Sequence, residues 1–396
     1  MARPLTVVPA RPMAEVSAAL TGALAGSSTL FVLPPTPAPT GHNWHSALHL
    51  GDPVPDEVAA LVATSGSTGT PRAVMLTAAA LLASAHATLR RLDGPGAWLL
   101  ALPPSSIGGL QVLVRSRLAG LDAVEMDLTE TFGADTFARS AQELPQGLPR
   151  YTSLVPTQLR RLVEAGPQGI EALAAFDAVL IGGGPLDAGL RATATSAGAR
   201  IVSTYGMTET SGGCVYDGLP LDGVYVENSS TGLRIGGEVL ALGYHGESLA
   251  TQESFVDNMF QTHDAGYVDN SGPGSIPRVS VTGRNDDVII SGGVNVAAGA
   301  VEEALRGRPD IVDAAVVGCP DPEWGQAVLA LVVLADPASR LDLNEVRDYV
   351  RYRLGAAAAP RRLLPVTALP RLHSGKLDRT AARLLAAAES ATAVDQ

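Results

Sequence analysis

Along the first half of the chain, short apolar runs alternate with longer alanine- and leucine-rich stretches. STLFVLPP (28–35), AALVATSG (59–66) and AWLLALPP (97–104) have the length and bounding residues of strands, whereas LTAAALLASAHATLRRL (76–92) and GLQVLVRSRLAG (109–120) read as helices. YTSLVPTQLRRLVEA (151–165) reads as strand then helix, and AFDAVLIGGGPLDAGLRATATSAG (175–198) as strand, glycine-rich loop and helix. Such alternation predicts an α/β fold of mostly parallel sheets, with ligand sites in the loops at the strand ends.

The texture changes after about residue 210. CVYDGLPLDGVYVENSSTGLRIGGEVLALGY (214–244) has short strands separated by Gly, Asp and Asn turns, which predicts a β-rich subdomain of hairpins. From Gly283 a third pattern follows: DDVIISGGVNV, a helix AGAVEEALRG, strands IVDAAVVGCP and AVLALVVLA, a helix LDLNEVRDYVRYRL, and a tail HSGKLDRTAARLLAAA. The expected division is a large N-terminal domain over residues 1–284 and a small α+β domain over 285–396.

Composition narrows the class. Of 396 residues, 46% are hydrophobic and 17% charged, a globular balance. The net charge of -12 argues against nucleic-acid binding, which rests on basic contacts to phosphate. Cys214 and Cys319 lie far apart without metal-ligand spacing, which points to a reducing compartment. Prolines and Glu15 interrupt the start of the chain, and no apolar run reaches membrane-spanning length, so a cytoplasmic protein without membrane insertion is expected. The oligomeric state stays open, a homodimer being one expectation.

VATSGSTGTPRAVMLT (62–77) carries the first candidate chemistry. From Thr64 through Ser65, Gly66, Ser67, Thr68 and Gly69 to Thr70, every residue is Gly, Ser or Thr. Glycine lets backbone approach a ligand closely, and consecutive N–H groups with hydroxyls can surround an anion. The residues alone fit a phosphate cradle or a flexible Ser/Gly turn equally well. Neither the G-x-x-x-x-G-K-[ST] spacing nor a G-x-G-x-x-G after the first strand is present.

Six motifs in order, TSGSTGTPR (64–72), IGGGPL (181–186), STYGMTET (203–210), THDAGYVD (262–269), GRNDDVIISGG (283–293) and SGKLDR (374–379), resemble the adenylate-forming superfamily of acyl-CoA synthetases, peptide-synthetase adenylation domains and luciferases. The resemblance covers almost the whole chain. It implies ATP, Mg²⁺ and coenzyme A as ligands, an ATP- and acyl-binding large domain, and a mobile small domain. Residues 64–70 would hold the ATP phosphates, and Arg72, where the family usually has Lys, would support them or lie solvated at the surface. Gly182, Gly183, Gly184, Tyr205 and Gly206 resemble the adenine pocket, Thr208 the α-phosphate contact and Glu209 the magnesium ligand. Asp264 and Arg284 resemble the ribose-binding pair, Asp286 the hinge and Lys376 the catalytic lysine, whose charge would neutralise the reacting carboxylate and α-phosphate.

The short chain and the segments 98–120, 208–224 and 288–296 resemble o-succinylbenzoate-CoA ligases of menaquinone biosynthesis in particular. Ser105 and Ser106 stand where amino-acid-activating relatives have Asp and where these ligases usually have a nearby His. Ser105, Ser106, Gln111, Gly212 and Gly213 are the expected acyl-pocket residues, ordinary loop packing being their other reading. The expected activity is AMP-forming ligation of o-succinylbenzoate to CoA. Alternatives are another aryl or acyl-CoA ligase, a stand-alone adenylating enzyme, or a nucleotide-binding descendant without catalysis.

Overall fold

The computed structural model describes residues 3–35, 43–64, 71–128, 132–271, 276–371 and 377–392. These fall into two compact units: Met1–Asn228 with Arg234–Thr262 and Val268–Val279, and Ser280–Gln396 with Ser229–Leu233 and His263–Tyr267.

Two sheets organise the first unit. Strands Ala97–Leu100 and Ala178–Ile181 are buried at every position, and such runs can sit only inside a sheet covered on both faces. They belong to a seven-stranded sheet whose members Val124–Glu125, Ala97–Leu100, Arg150–Leu154, Ala178–Ile181 and Ile201–Met207 are mutually parallel. Gly212–Tyr216 then returns antiparallel to Ile201–Met207, followed by Leu219–Pro220. One face packs Leu99, Leu154, Val179 and Ile201 against Phe137, Leu159, Leu173 and Leu190 from the helices.

The second sheet is mixed. Leu5–Val8, Thr29–Val32 and Val58–Thr64 run parallel, but Arg72–Thr77 pairs antiparallel with Val58–Thr64, and Gly243–Tyr244 antiparallel with Arg72–Thr77. The helix Met13–Leu24 near the start of the chain was not expected from the pattern; it buries only Val16, Leu20 and Ala23, a narrow stripe on an alanine-rich segment. The predicted hairpin region forms a four-stranded sheet ordered Val224–Ser229, Gly232–Gly237, Met259–Gln261, Phe255–Val256. Helix starts follow local chemistry: Thr77, Ser106 and Asp187 each accept a backbone N–H of the first turn.

In the second unit, Val288–Ser291 and Val294–Ala297 form a hairpin in a sheet with Gly325–Leu334 and Ile311–Asp321, and Arg362–Pro365 adds a parallel edge. Alternation along Ile311–Asp321 sends Ala314 and Val316 to helices Ala298–Arg306 and Leu343–Leu354, and Ala315 and Val317 to helix Arg379–Thr392. Buried Asp287 and Glu302 are matched by Arg379, at 2.6 and 2.8 Å. Among the described residues, no helix is long and apolar enough to cross a membrane.

Candidate active site

Most of the predicted site residues come together in the first unit, at the ends of its strands. Thr64 and Arg72 face each other across the antiparallel pair and so bracket Ser65, Gly66, Ser67, Thr68, Gly69 and Thr70, which lie outside the described residues. Arg72 places its Nε 3.0 Å from the Glu247 carboxylate and its guanidinium over the Tyr244 ring, 5.0 Å from the centroid. Tyr244 reaches this position because Gly243–Tyr244 is zipped to Val74–Met75.

The Tyr244 hydroxyl in turn donates to Glu209 Oε1 at 2.9 Å. Burial, then the neighbouring Glu209 charge and that hydrogen bond, push the phenol pKa well up, so the hydroxyl keeps its proton. Glu209 sits in a single helical turn, Thr208–Thr210, and its carbonyl accepts the Ala241 N–H at 2.8 Å. Thr208 is buried beside it. Thr210 closes the turn by accepting the Met207 N–H at 3.0 Å and donating to the Gly212 carbonyl at 2.7 Å.

Gly206 is required by close approach. A Cβ there would stand 2.1 Å from the Gly212 carbonyl oxygen and 2.7 Å from Gly213 Cα. Bare backbone therefore lies on bare backbone beside the half-buried Tyr205. Gly182, Gly183 and Gly184 follow strand Ala178–Ile181, with Gly182 N–H bonded to the Leu154 carbonyl and Gly183 in the left-handed region at φ 79°.

The expected acyl residues adjoin this cluster but differ among themselves. Ser106 caps helix Ile107–Leu118, accepting the Gly109 N–H at 3.2 Å and donating to the Pro103 carbonyl at 2.7 Å. Ser105 is buried, and its hydroxyl has no partner among the described residues. Gln111 donates its side-chain N–H groups to the Leu81 and Ser211 carbonyls, at 3.1 and 2.8 Å, while its buried Oε1 has no partner among the described residues. Gly212 lies against Gln111 and Ile107.

Sequence reasoning missed Arg115, one turn further along that helix. It is buried, stacks 5.1 Å from the Trp98 ring, and its Nε has no partner among the described residues; burial pulls its pKa down. A buried cation inside the apolar-looking run LQVLVRS was its only signal. Tyr244 and Glu247 were also missed: ALGY closes the predicted hairpin region, and nothing local marks either residue.

Asp264 and Arg284 fall in the second unit and terminate the paired strands Asp264–Asp269 and Arg278–Arg284; the Asn285 N–H donates to the His263 carbonyl at 2.7 Å. Asp286 lies in the helical turn Asn285–Asp287 that follows. Lys376 is outside the described residues. A separate groove of about 340 Å³, lined by His86, Arg90, Asp222 and Glu238 among others, contains none of the predicted residues.

Among the described residues, no group of three or more His, Cys, Asp or Glu side chains could hold a metal. A single hard carboxylate such as Glu209 fits magnesium delivered with a nucleotide, because that ion takes one or two carboxylates and completes its shell with phosphate and water oxygens.

Known proteins bear directly on this arrangement. The AMP-binding enzyme family matches residues 35–249, and the AMP-binding enzyme C-terminal domain matches residues 300–376. A probable 2-succinylbenzoate–CoA ligase of Mycobacterium tuberculosis is 43% identical over 372 residues, 90% of this chain and 95% of that one. A 2-succinylbenzoate–CoA ligase of Bacillus licheniformis is 31% identical over 351 residues, 82% of this chain and 69% of that one. The Bacillus subtilis o-succinylbenzoate coenzyme A synthetase solved with ATP and magnesium superposes with a TM-score of 0.70 at 25% identity, covering 92% of this chain and 81% of that one. The motifs, the two-unit fold and these matches agree, and the chain belongs to the AMP-binding enzyme family.

Proposed function

We propose that this chain is an AMP-forming carboxylate–CoA ligase acting on o-succinylbenzoate, which it converts to o-succinylbenzoyl-CoA through an acyl-adenylate. The observation that carries the reading is the 43% identity to a probable ligase for that acid over nearly the full length of both chains. In the first step the succinyl carboxylate attacks the ATP α-phosphate and pyrophosphate leaves; in the second the CoA thiol attacks the acyl carbon and AMP leaves.

Negative charge gathers on the α-phosphate during the first step, so donors fixed in advance lower its barrier. Thr208 donates to that phosphate, residues 64–70 cradle the β- and γ-phosphates, and Lys376 brings a cation to the reacting oxygens. Magnesium, when bound through Glu209, supplies charge neutralisation at the phosphates. Tyr205, Gly206 and Gly182–Gly184 hold the adenine, and Asp264 and Arg284 the ribose. Turning about Asp286 withdraws Lys376 and brings SGGVN (291–295) to the thiol's path, so one site serves two reactions.

The substrate is a dianion, and its distal ring carboxylate needs donors of its own. Ser105 and the backbone around Gly212 and Gly213 are the neutral donors assigned that role here. The test compares kcat/KM for o-succinylbenzoate, benzoate, a medium-chain fatty acid and an analogue lacking the ring carboxylate, reading pyrophosphate and thioester separately. Preference for o-succinylbenzoate supports the reading; preference for benzoate or the fatty acid makes the chain a general acyl-CoA ligase. Pyrophosphate without thioester makes it an adenylating enzyme with another acceptor.

A further inference from the structure

Arg72, Tyr244, Glu247 and Glu209 form one connected cluster drawn from three separate stretches of chain. Glu209 Oε1 receives the Tyr244 hydroxyl at 2.9 Å, the Tyr244 ring lies under the Arg72 guanidinium at 5.0 Å, and Arg72 Nε is held by Glu247 Oε2 at 3.0 Å. A carboxylate on a single helical turn can rotate about its side-chain bonds. A hydroxyl fixed to one of its oxygens restricts that rotation, and a ring stacked beneath a planar, ion-paired guanidinium is itself restricted.

We infer that Tyr244 is a positioning residue that presents the Glu209 carboxylate to the nucleotide-borne cation, and that Arg72 acts through Tyr244, held in place by Glu247, rather than as a phosphate ligand. This rests on the reading of Glu209 as the magnesium ligand. With Oε1 engaged by the phenol, Oε2 is the oxygen offered to the metal. The fourth member, Glu247, gives a reason for Arg at position 72: a guanidinium can pair with a carboxylate and cover a ring at once, whereas an ammonium has no plane to stack.

The test uses the full chain with Mn²⁺ and α,β-methylene-ATP, and reads the Mn²⁺ dissociation constant by electron paramagnetic resonance. Tyr244→Phe, which keeps the ring, raises that constant about threefold to tenfold, the span of one net hydrogen bond. Arg72→Lys, which keeps the charge but not the stack, raises it about twofold, the scale of an exposed stacking contact. In the Glu209→Gln background, Tyr244→Phe adds nothing further. An unchanged constant in Tyr244→Phe, with Glu209→Gln weakened, overturns the positioning role while leaving the ligand assignment intact. An unchanged constant in Glu209→Gln overturns the ligand assignment and the inference with it. Should Tyr244→Phe fail to fold, Arg72→Lys decides alone: a constant equal to that of the parent chain overturns the inference.

Discussion

Around Glu209 the polar groups are engaged with one another, whereas along residues 98–116 five buried side-chain atoms, Trp98 Nε1, Ser105 Oγ, Gln111 Oε1, Arg115 Nε and Ser116 Oγ, have no partner among the described residues. Both regions belong to the first unit, and Gln111 links them through its bond to the Ser211 carbonyl. On the assignment proposed above, with the nucleotide at Glu209 and the acid along residues 98–116, their opposite treatment of polar atoms separates two kinds of recognition. A nucleotide is always the same ligand, so its contacts can be fixed in advance by side chains that also hold each other. Buried polar atoms left over destabilise a fold by an amount comparable to a lost hydrogen bond, and they are retained where something else supplies the partner.

The largest test of that contrast is Arg115. Truncation to Ala removes a side chain packed on Trp98 and opens a cavity, so a loss of about 2–5 kcal/mol in unfolding free energy is expected. Arg115→Met fills much of the volume and removes a charge that burial disfavours, so its cost is below about 1.5 kcal/mol or reversed in sign. Urea unfolding of the two variants measures both. Equal losses would mean the guanidinium is fully paired in solution, and the contrast between the regions would fall.

Cys214 tests the wall behind the site, in strand Gly212–Tyr216. Burial, only partly offset by the Thr210 hydroxyl and the backbone, raises its thiol pKa from an ordinary 9.0 to about 12. The native state therefore holds a proton that the unfolded chain releases. Stability from this source is complete below pH 9.0 and is lost as pH rises towards 12. Compared with Cys214→Ala, the parent chain should lose stability more steeply across that window, as read by denaturation at stepped pH. Parallel curves would mean water reaches the strand.

The sequence pattern made much of the order of strands and helices readable because strands such as Ala97–Leu100 and Ala178–Ile181 are short, uniformly apolar runs, and the glycine loop after Ile181 announces where its strand ends. Glu209 and Thr208 were singled out as candidates by their motif. Tyr244 was not: its contact with Glu209 spans 35 residues and depends on the pairing of Gly243–Tyr244 with Val74–Met75, which no local period encodes. The antiparallel return of Arg72–Thr77 was equally hidden, because a strand's own side-chain pattern does not encode the direction of the neighbour it pairs with.

Ser106 and Ser105 then divide the comparison within one dipeptide. Ser106→Ala removes a helix cap whose hydroxyl is occupied on both sides, so about 1 kcal/mol of stability should be lost, and KM for the carboxylic acid should change little. A large rise in KM with no loss of stability would show that the cap opens to receive substrate.

Ser105→Ala should do the reverse, and it is the smallest effect on the fold. Its hydroxyl is buried and without a partner among the described residues, so deleting it to leave the alanine methyl removes a desolvation cost and leaves no donor stranded. The unfolding free energy should change by no more than about 0.5 kcal/mol, in either direction. If the hydroxyl meets substrate, KM for the acid should rise about threefold to tenfold, the range one net hydrogen bond spans, while KM for ATP stays put. Comparing o-succinylbenzoate with its analogue lacking the ring carboxylate locates the contact. A hydroxyl bound to that carboxylate loses its advantage only with the full substrate, whereas one that merely shapes the wall shifts both acids equally. A variant that loses stability and leaves both KM values unchanged would show that Ser105 has a protein partner after all, and the contrast with the cluster around Glu209 would then rest on Trp98, Gln111, Arg115 and Ser116 alone.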